Sequence, residues 1–270
     1  MIKKLPILEK FYDESAYLTT EKAMKGRPKF QDIFNYLENH KVNTCVIVFN
    51  RNLKEFLSSH FDNVVEFFGL QAGEDKHNIY FVDNIAFVCP FVGSPNAAAS
   101  MEELACFGFK NFIATGSAGL IVDNFDVRNM LVVEDAIRDE GASYHYASPE
   151  VEAVTDSKIT EAIKTCLTNR GIGFKTGRTW TTDAFYRETK SLIDLRIKQG
   201  CTAVEMECAT WCVVAKKLGL NFGQFLFFSD KVMDKEWSQE GDTEHRLNIK
   251  NQITLLCYEI AKEVDKIFNK

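Results

Sequence analysis

Three short runs, Thr44–Phe49, Asn111–Thr115 and Phe222–Phe228, are apolar almost throughout and rich in β-branched and aromatic residues. A strand with one wet face alternates apolar and polar residues; a run without alternation is covered on both faces. Such strands need a helical layer on each side. The intervening sequence supplies helix signals at 95–107 before Gly108, at 156–167 before Gly171, at about 205–218 and at about 243–268, where glycine can take the left-handed conformation that closes a helix. Further strand-like stretches cover about 79–92, 129–137 and 174–181. The alternation predicts a three-layer α/β/α sandwich with a central mixed sheet, whose ligands sit at the carboxyl ends of strands.

The 270 residues hold 5 prolines, with no repeat and no low-complexity linker, so one domain spanning 1–270, with its core at about 40–268, is expected. A chain of this length buries roughly three quarters of its unfolded surface and needs no disulfide or metal staple. The net charge of −6 and the absence of a dense basic run argue against a nucleic-acid partner. No apolar stretch approaches a membrane span, and Met1–Pro6 has no signal-peptide core, so a cytoplasmic protein is expected. Of the 8 cysteines none forms a C-x-x-C pair, and Cys208 and Cys212, one helical turn apart, have no nearby histidine. They read as reduced thiols packed as small hydrophobes, not as metal ligands.

Three segments place polar or glycine residues where a buried strand ends. Ile113–Gly119 carries Gly116 and Gly119 around Ser117, which lets backbone amides approach an anion or a hydroxyl closely. Thr202–Ala209 carries Glu205 and Glu207 about Met206. Extended, the two glutamates point the same way, and a carboxylate is a good acceptor for neighbouring sugar hydroxyls; alternatively both begin a helix and favour its positive end. Phe225–Lys231 delivers Asp230 beside Ser229, either as a desolvated general acid or as a helix cap.

Together these segments resemble the type I nucleoside phosphorylase and nucleosidase superfamily, which includes purine nucleoside phosphorylase, uridine phosphorylase and methylthioadenosine nucleosidase. The resemblance also rests on Gly93-Ser-Pro-Asn-Ala-Ala-Ala99, Glu103-Leu104 with Gly108, Ala136–Tyr146 and Thr182-Asp-Ala-Phe-Tyr186, and runs from about Cys45 to the C-terminal helix. It implies an enzyme that breaks the N-glycosidic bond of a nucleoside. Glu207 and Met206 would hold the ribose, Phe185 and Val204 the base, and Asp230 would protonate a purine at N7. Gly116, Ser117, Lys54 and Arg51 would surround the nucleophile. It implies no cofactor beyond inorganic phosphate as co-substrate, and a homo-oligomer.

The departures bear on the nucleophile. Phosphorylases carry an arginine where this chain has Ala114, and alanine cannot replace its bidentate fork; Lys54 stands for the loop arginine and Asn50 for the loop glycine. Nucleosidases share the Thr115–Gly119 string but use a glutamate where Lys54 stands. Phosphorolysis is favoured, because lysine binds phosphate as a point charge, with hydrolysis by water and a catalytically silent nucleoside binder as alternatives. The residues that read uracil in uridine phosphorylase fall on Thr189 and Ser191, so a purine is the first expectation, with Arg187 and Glu188 near enough to Phe185 to serve another base. His145 is expected to be structural, Arg138 and Glu140 to form an internal ion pair, and Trp180 and Trp237 to pack.

Overall fold

Burial on both faces governs the architecture. The computed structural model describes residues 6–24, 27, 30–72, 75–232 and 243–268. Its strands are β1 (Thr44–Val48), β2 (Val64–Ala72), β3 (Asp75–Val82), β4 (Ile85–Val88), β5 (Asn111–Leu120), β6 (Met130–Asp139), β7 (Ala153–Val154), β8 (Phe174–Thr182), β9 (Cys201–Glu205) and β10 (Asn221–Lys231). Its helices are α1 (Thr20–Met24), α2 (Phe30–His40), α3 (Leu53–His60), α4 (Ser94–Phe107), α5 (Ser157–Asn169), α6 (Lys190–Lys198), α7 (Cys208–Leu218) and α8 (Thr243–Phe268).

Alternate residues of the central strands enter different cores. Cys45, Ile47, Phe112, Ala114, Phe222 and Leu226 pack with α2, α4 and α7. Val46, Val48, Ile113 and Phe225 pack with α3, α5 and α8. The chain therefore folds as the mixed α/β sandwich expected, with strand order β10-β6-β8-β9-β5-β1-β4-β3-β2. β4, β1, β5 and β10 run parallel, whereas β6 is antiparallel to β10, and β9 to β5. Because β5 pairs both β9 and β10, the strands β5, β10, β6, β8 and β9 close a ring within the sheet.

Two expectations shift in detail. The stretch at 79–92 is not one strand: β3 and β4 form an antiparallel hairpin turning at Asp83, whose φ of 52° is left-handed, a conformation aspartate tolerates. The helix placed at 205–218 starts at Cys208, because Glu205 is still the last residue of β9. Helix α4 begins after Gly93, with Pro95 in its first turn, and stops at Gly108, where φ is 119°. Asp156 caps α5, accepting from the amides of Lys158 and Ile159.

Candidate active site

The carboxyl ends of β1, β5 and β4 open on a cleft of about 710 Å³, whose walls include Phe49, Arg51, Lys54, Gly116, Ser117, Met206, Glu207 and Gln224. Parallel strands leave such a crevice where their connections diverge. One wall is built by the β9–α7 junction. Glu205 ends the strand, and its carboxylate accepts from the amides of Glu207 at 2.8 Å and Cys208 at 2.7 Å and from Thr181 Oγ1 at 2.5 Å. It therefore satisfies donors at the start of α7 that would otherwise be orphaned. The helix-start reading holds for this residue.

Glu207 serves differently. Its Oε1 accepts from the Gly93 amide at 2.6 Å, while Ser94 Oγ donates to the Met206 carbonyl at 2.8 Å. The amino end of α4 thus clasps the Met206-Glu207 turn, and its partial positive charge favours a carboxylate there. The strand ends at Glu205 and Glu207 precedes α7 with φ −137° and ψ −31°, so the alternation of an extended segment does not apply to the pair, although both line the cleft. Burial pushes the Glu205 carboxyl up to about 7; burial and, after it, the Glu205 charge push Glu207 up to about 8.

The opposite wall carries the cations. Arg51, Lys54 and Lys250 line it, and Lys54 is drawn to Glu66, 2.6 Å away. Asn50 is buried; its side chain accepts from the Asn52 amide and donates to Asn251, tying the loop after β1 to α8. An aromatic flank is supplied by Tyr80, Phe91 and His77, the last meeting Phe91 edge to face with centroids 3.8 Å apart.

The structure thus brings together Arg51, Lys54, Gly116, Ser117, Met206 and Glu207. Phe185 stands apart: it is 49% exposed, packs on Tyr186 and does not line the cleft. Val204 is buried with Ile121, Trp180 and Ile193, on the face of β9 away from the cleft. The backbone of Asp230 pairs with Gly119 after a register shift in β10; its side chain, like all of Trp237, lies outside the described residues. Trp180 is fully buried, and its indole donates to Asp139. Arg138 and Glu140 meet on Ser143 instead of on each other: Arg138 Nε donates to Ser143 Oγ at 2.8 Å, and the Ser143 amide donates to Glu140 at 2.9 Å. The expected ion pair is replaced by this bridge because the arginine also binds the carbonyls of Ala147, Ser148 and Val151.

Lys250, Gln224, His77, Tyr80 and Phe91 are among the cleft residues that sequence reasoning missed. Lys250 comes from a helix far along the chain, and Gln224 is a lone polar residue inside an apolar strand. The second of these is itself a signal, since a buried amide needs partners.

Comparison with known proteins identifies the family and the fold. The model of the phosphorylase superfamily matches residues 55–262. A uridine phosphorylase of Thermococcus kodakarensis is 28% identical over 179 residues, 62% of this chain and 65% of its own length. A guanosine phosphorylase of Halorubrum lacusprofundi is 31% identical over 132 residues, 49% of this chain and 55% of its own. The chain thus spans about half to two thirds of these curated relatives. Among solved structures, an AMP nucleosidase from Bacteroides thetaiotaomicron superposes with a TM-score of 0.68 at 21% identity, covering 90% of this chain and 100% of that one. A uridine phosphorylase from Vibrio fischeri also gives 0.68 at 22% identity, covering 83% and 91%.

Proposed function

The chain belongs to the phosphorylase superfamily, and from that premise we propose that it cleaves the N-glycosidic bond of a nucleoside, a purine nucleoside first, with inorganic phosphate as the attacking group. The observation that carries this reading is Glu207: a buried carboxylate, fixed at 2.6 Å by the Gly93 amide, on the wall of a cleft whose other wall is cationic. A carboxylate in that position accepts from ribose hydroxyls and holds the sugar. Arg51, Lys54 and Lys250 attract the phosphate dianion. As the C1′–N bond breaks, its electron pair leaves with the base and a phosphate oxygen bonds to C1′. Asp230 gives the base its proton, on the resemblance, and general acid help of this kind supplies about 10²–10⁴-fold. The products are free base and ribose 1-phosphate. A place in purine salvage, a cytoplasmic location and assembly into a homo-oligomer belong to the same proposal.

A second reading, hydrolysis by water, draws on two observations: position 114 is a buried alanine without charge, and Lys54 is already paired with Glu66. The test is base release from a panel of purine and pyrimidine nucleosides with and without phosphate, with the sugar product identified. Release that requires phosphate supports the first reading. Equal release without phosphate, yielding ribose, establishes the second. A pyrimidine used in preference to every purine refutes the choice of base, and no release from any nucleoside sinks both readings in favour of a silent binder.

A further inference from the structure

The middle of β10 carries a residue that its neighbours do not call for. Phe222 and Leu226 face the α4/α7 layer, and Phe225 faces α8; Gln224, in phase with the first two, points to the α4/α7 side. In the parallel register it stands opposite Ala114, on the same sheet face. It is 1% exposed and lines the cleft beside Gly116, Met206 and Glu207. Its carbonyl Oε1 is buried with no hydrogen-bond partner among the described residues. A leucine or methionine would fill this position without leaving an amide oxygen unpaired, a state that buried polar groups rarely keep.

We propose that Gln224 binds the nucleophile: its side-chain carbonyl accepts a hydrogen bond from an attacking oxygen species that still bears a proton, either monohydrogen phosphate or water. The inference rests on N-glycosidic cleavage in this cleft. The pairing across the sheet gives the space, because the small Ala114 side chain leaves room beside it for a longer one from β10. The terminal torsion of glutamine is broad, so the amide turns its oxygen onto the cleft when a donor arrives. Glu205 cannot take this task, since its oxygens are held by Thr181 and two backbone amides. Arg51, Lys54 and Lys250 supply charge; Gln224 supplies orientation and selects by protonation state. Monohydrogen phosphate and monohydrogen arsenate each offer an O–H to this acceptor, whereas sulfate, fully deprotonated at neutral pH, offers none.

The test compares wild type with Gln224→Leu and Gln224→Met, two near-isosteric variants, after thermal unfolding has shown that each is folded. Base release is measured with nucleoside and phosphate varied separately, and again without phosphate. Loss of one hydrogen bond to the nucleophile is worth roughly tenfold. With phosphate as nucleophile, the phosphate KM rises about that much in both variants while the nucleoside KM stays within about twofold, and sulfate becomes a relatively better competitor. With water as nucleophile, kcat falls by a similar factor at unchanged nucleoside KM. Gln224→Glu separates the sources, because it keeps an acceptor for water but repels a dianion. Unchanged phosphate KM and kcat in both folded variants overturn the assignment while leaving the cleavage reading intact. A change confined to the nucleoside KM also overturns it, by making Gln224 a sugar or base contact. Absence of base release from the wild type removes the cleavage reading and the assignment with it.

Discussion

Glu205 tests whether the β9–α7 junction is what positions Glu207, the carboxylate proposed to hold the sugar. Glu205→Ala leaves the amides of Glu207 and Cys208 and the Thr181 hydroxyl without their acceptor, in a place 6% exposed. Each buried orphan donor costs about 1–3 kcal/mol. Removing a carboxylate whose charge burial opposes returns part of that, so the net loss is about 2–4 kcal/mol, in line with a lost helix cap plus a second buried bond. For a chain of this size that lowers Tm by roughly 5–15 °C. Glu205→Gln behaves otherwise. Its carbonyl still accepts from both amides, while its NH₂ faces Thr181 Oγ1, which already accepts from the Ala209 amide and loses its own acceptor, so one orphaned donor replaces three and its Tm falls clearly less than that of the alanine variant.

The pH dependence separates the two further. A carboxyl pushed up to about 7 holds its proton in the folded state over a range where the unfolded chain has lost it. The native state then binds more protons, so stability is greatest below the ordinary glutamate value of 4.5 and falls as pH climbs through about 7. Glu205→Gln flattens this slope. Calorimetric unfolding from pH 5 to 9, with nucleoside KM measured alongside, reads both effects. Equal Tm for the alanine and glutamine variants, or a stability slope indifferent to either, would refute the capping account.

Glu207→Gln is expected to raise the nucleoside KM about 10–100-fold, the worth of a hydrogen bond to a charged acceptor, measured by initial rates. Because burial and the Glu205 charge raise Glu207 to about 8, nucleoside kcat/KM in the wild type rises from pH 6 to 9 as the acceptor ionises, and Glu207→Gln loses that rise. Gly93→Ala forces a side chain onto a φ of 99° and turns the amide that holds Glu207, so Tm drops and nucleoside KM rises together; a purely structural effect moves Tm alone. Asp230→Asn is expected to cut purine release by about 10²–10⁴-fold, and loss of less than tenfold counts against it as the proton donor. Glu66→Gln, which frees Lys54 from an ion pair exposed to solvent, lowers the phosphate KM about two- to fivefold at low salt and less at high salt; a salt-independent change rejects the electrostatic cause.

The legible part of the fold was the part whose physics is local. Runs such as Thr44–Val48 announce their burial because both faces are apolar, and α4 and α5 are bounded by Gly93, Gly108 and Asp156. β2, α2, α3 and α6 escaped notice, and β9 was read only as the strand end at Thr202–Ala209. β9 is only 5 residues long and α6 has 9, with Ile193 its single buried residue, so neither builds a clear period. The site divides in the same way. Glycine, serine and paired glutamates at strand ends mark Ser117 and Glu207, since few residue types suit such positions. Of the two readings left open for the glutamate pair, alternation does not reach Glu207, because the chain turns from strand to helix between Glu205 and Cys208. Lys250 had no local signature, since what makes it a wall of the cleft is its tertiary neighbours, and Gln224 had only the weak one of a single amide inside an apolar strand.

The arrangement of charge in the cleft follows from where the walls originate. The acidic wall belongs to β9 and the start of α7, braced by the amino end of α4. The basic wall belongs to the loop after β1, the start of α3 and α8, and α8 packs on the opposite side of the sheet. Two carboxyls with raised values lie on the first wall, so at neutral pH that wall is partly protonated and repels an incoming anion less than two full charges would. An anion is therefore drawn to the second wall by charge and admitted past the first by the same burial that perturbs the glutamates. Between the walls, at the Ala114–Gln224 pair, the cleft has neither a cation nor an anion of its own, and the neutral amide is the group there able to tell a protonated oxygen from a bare one. On the proposal made for Gln224, charge draws the nucleophile into the cleft and one uncharged side chain between the walls orients it.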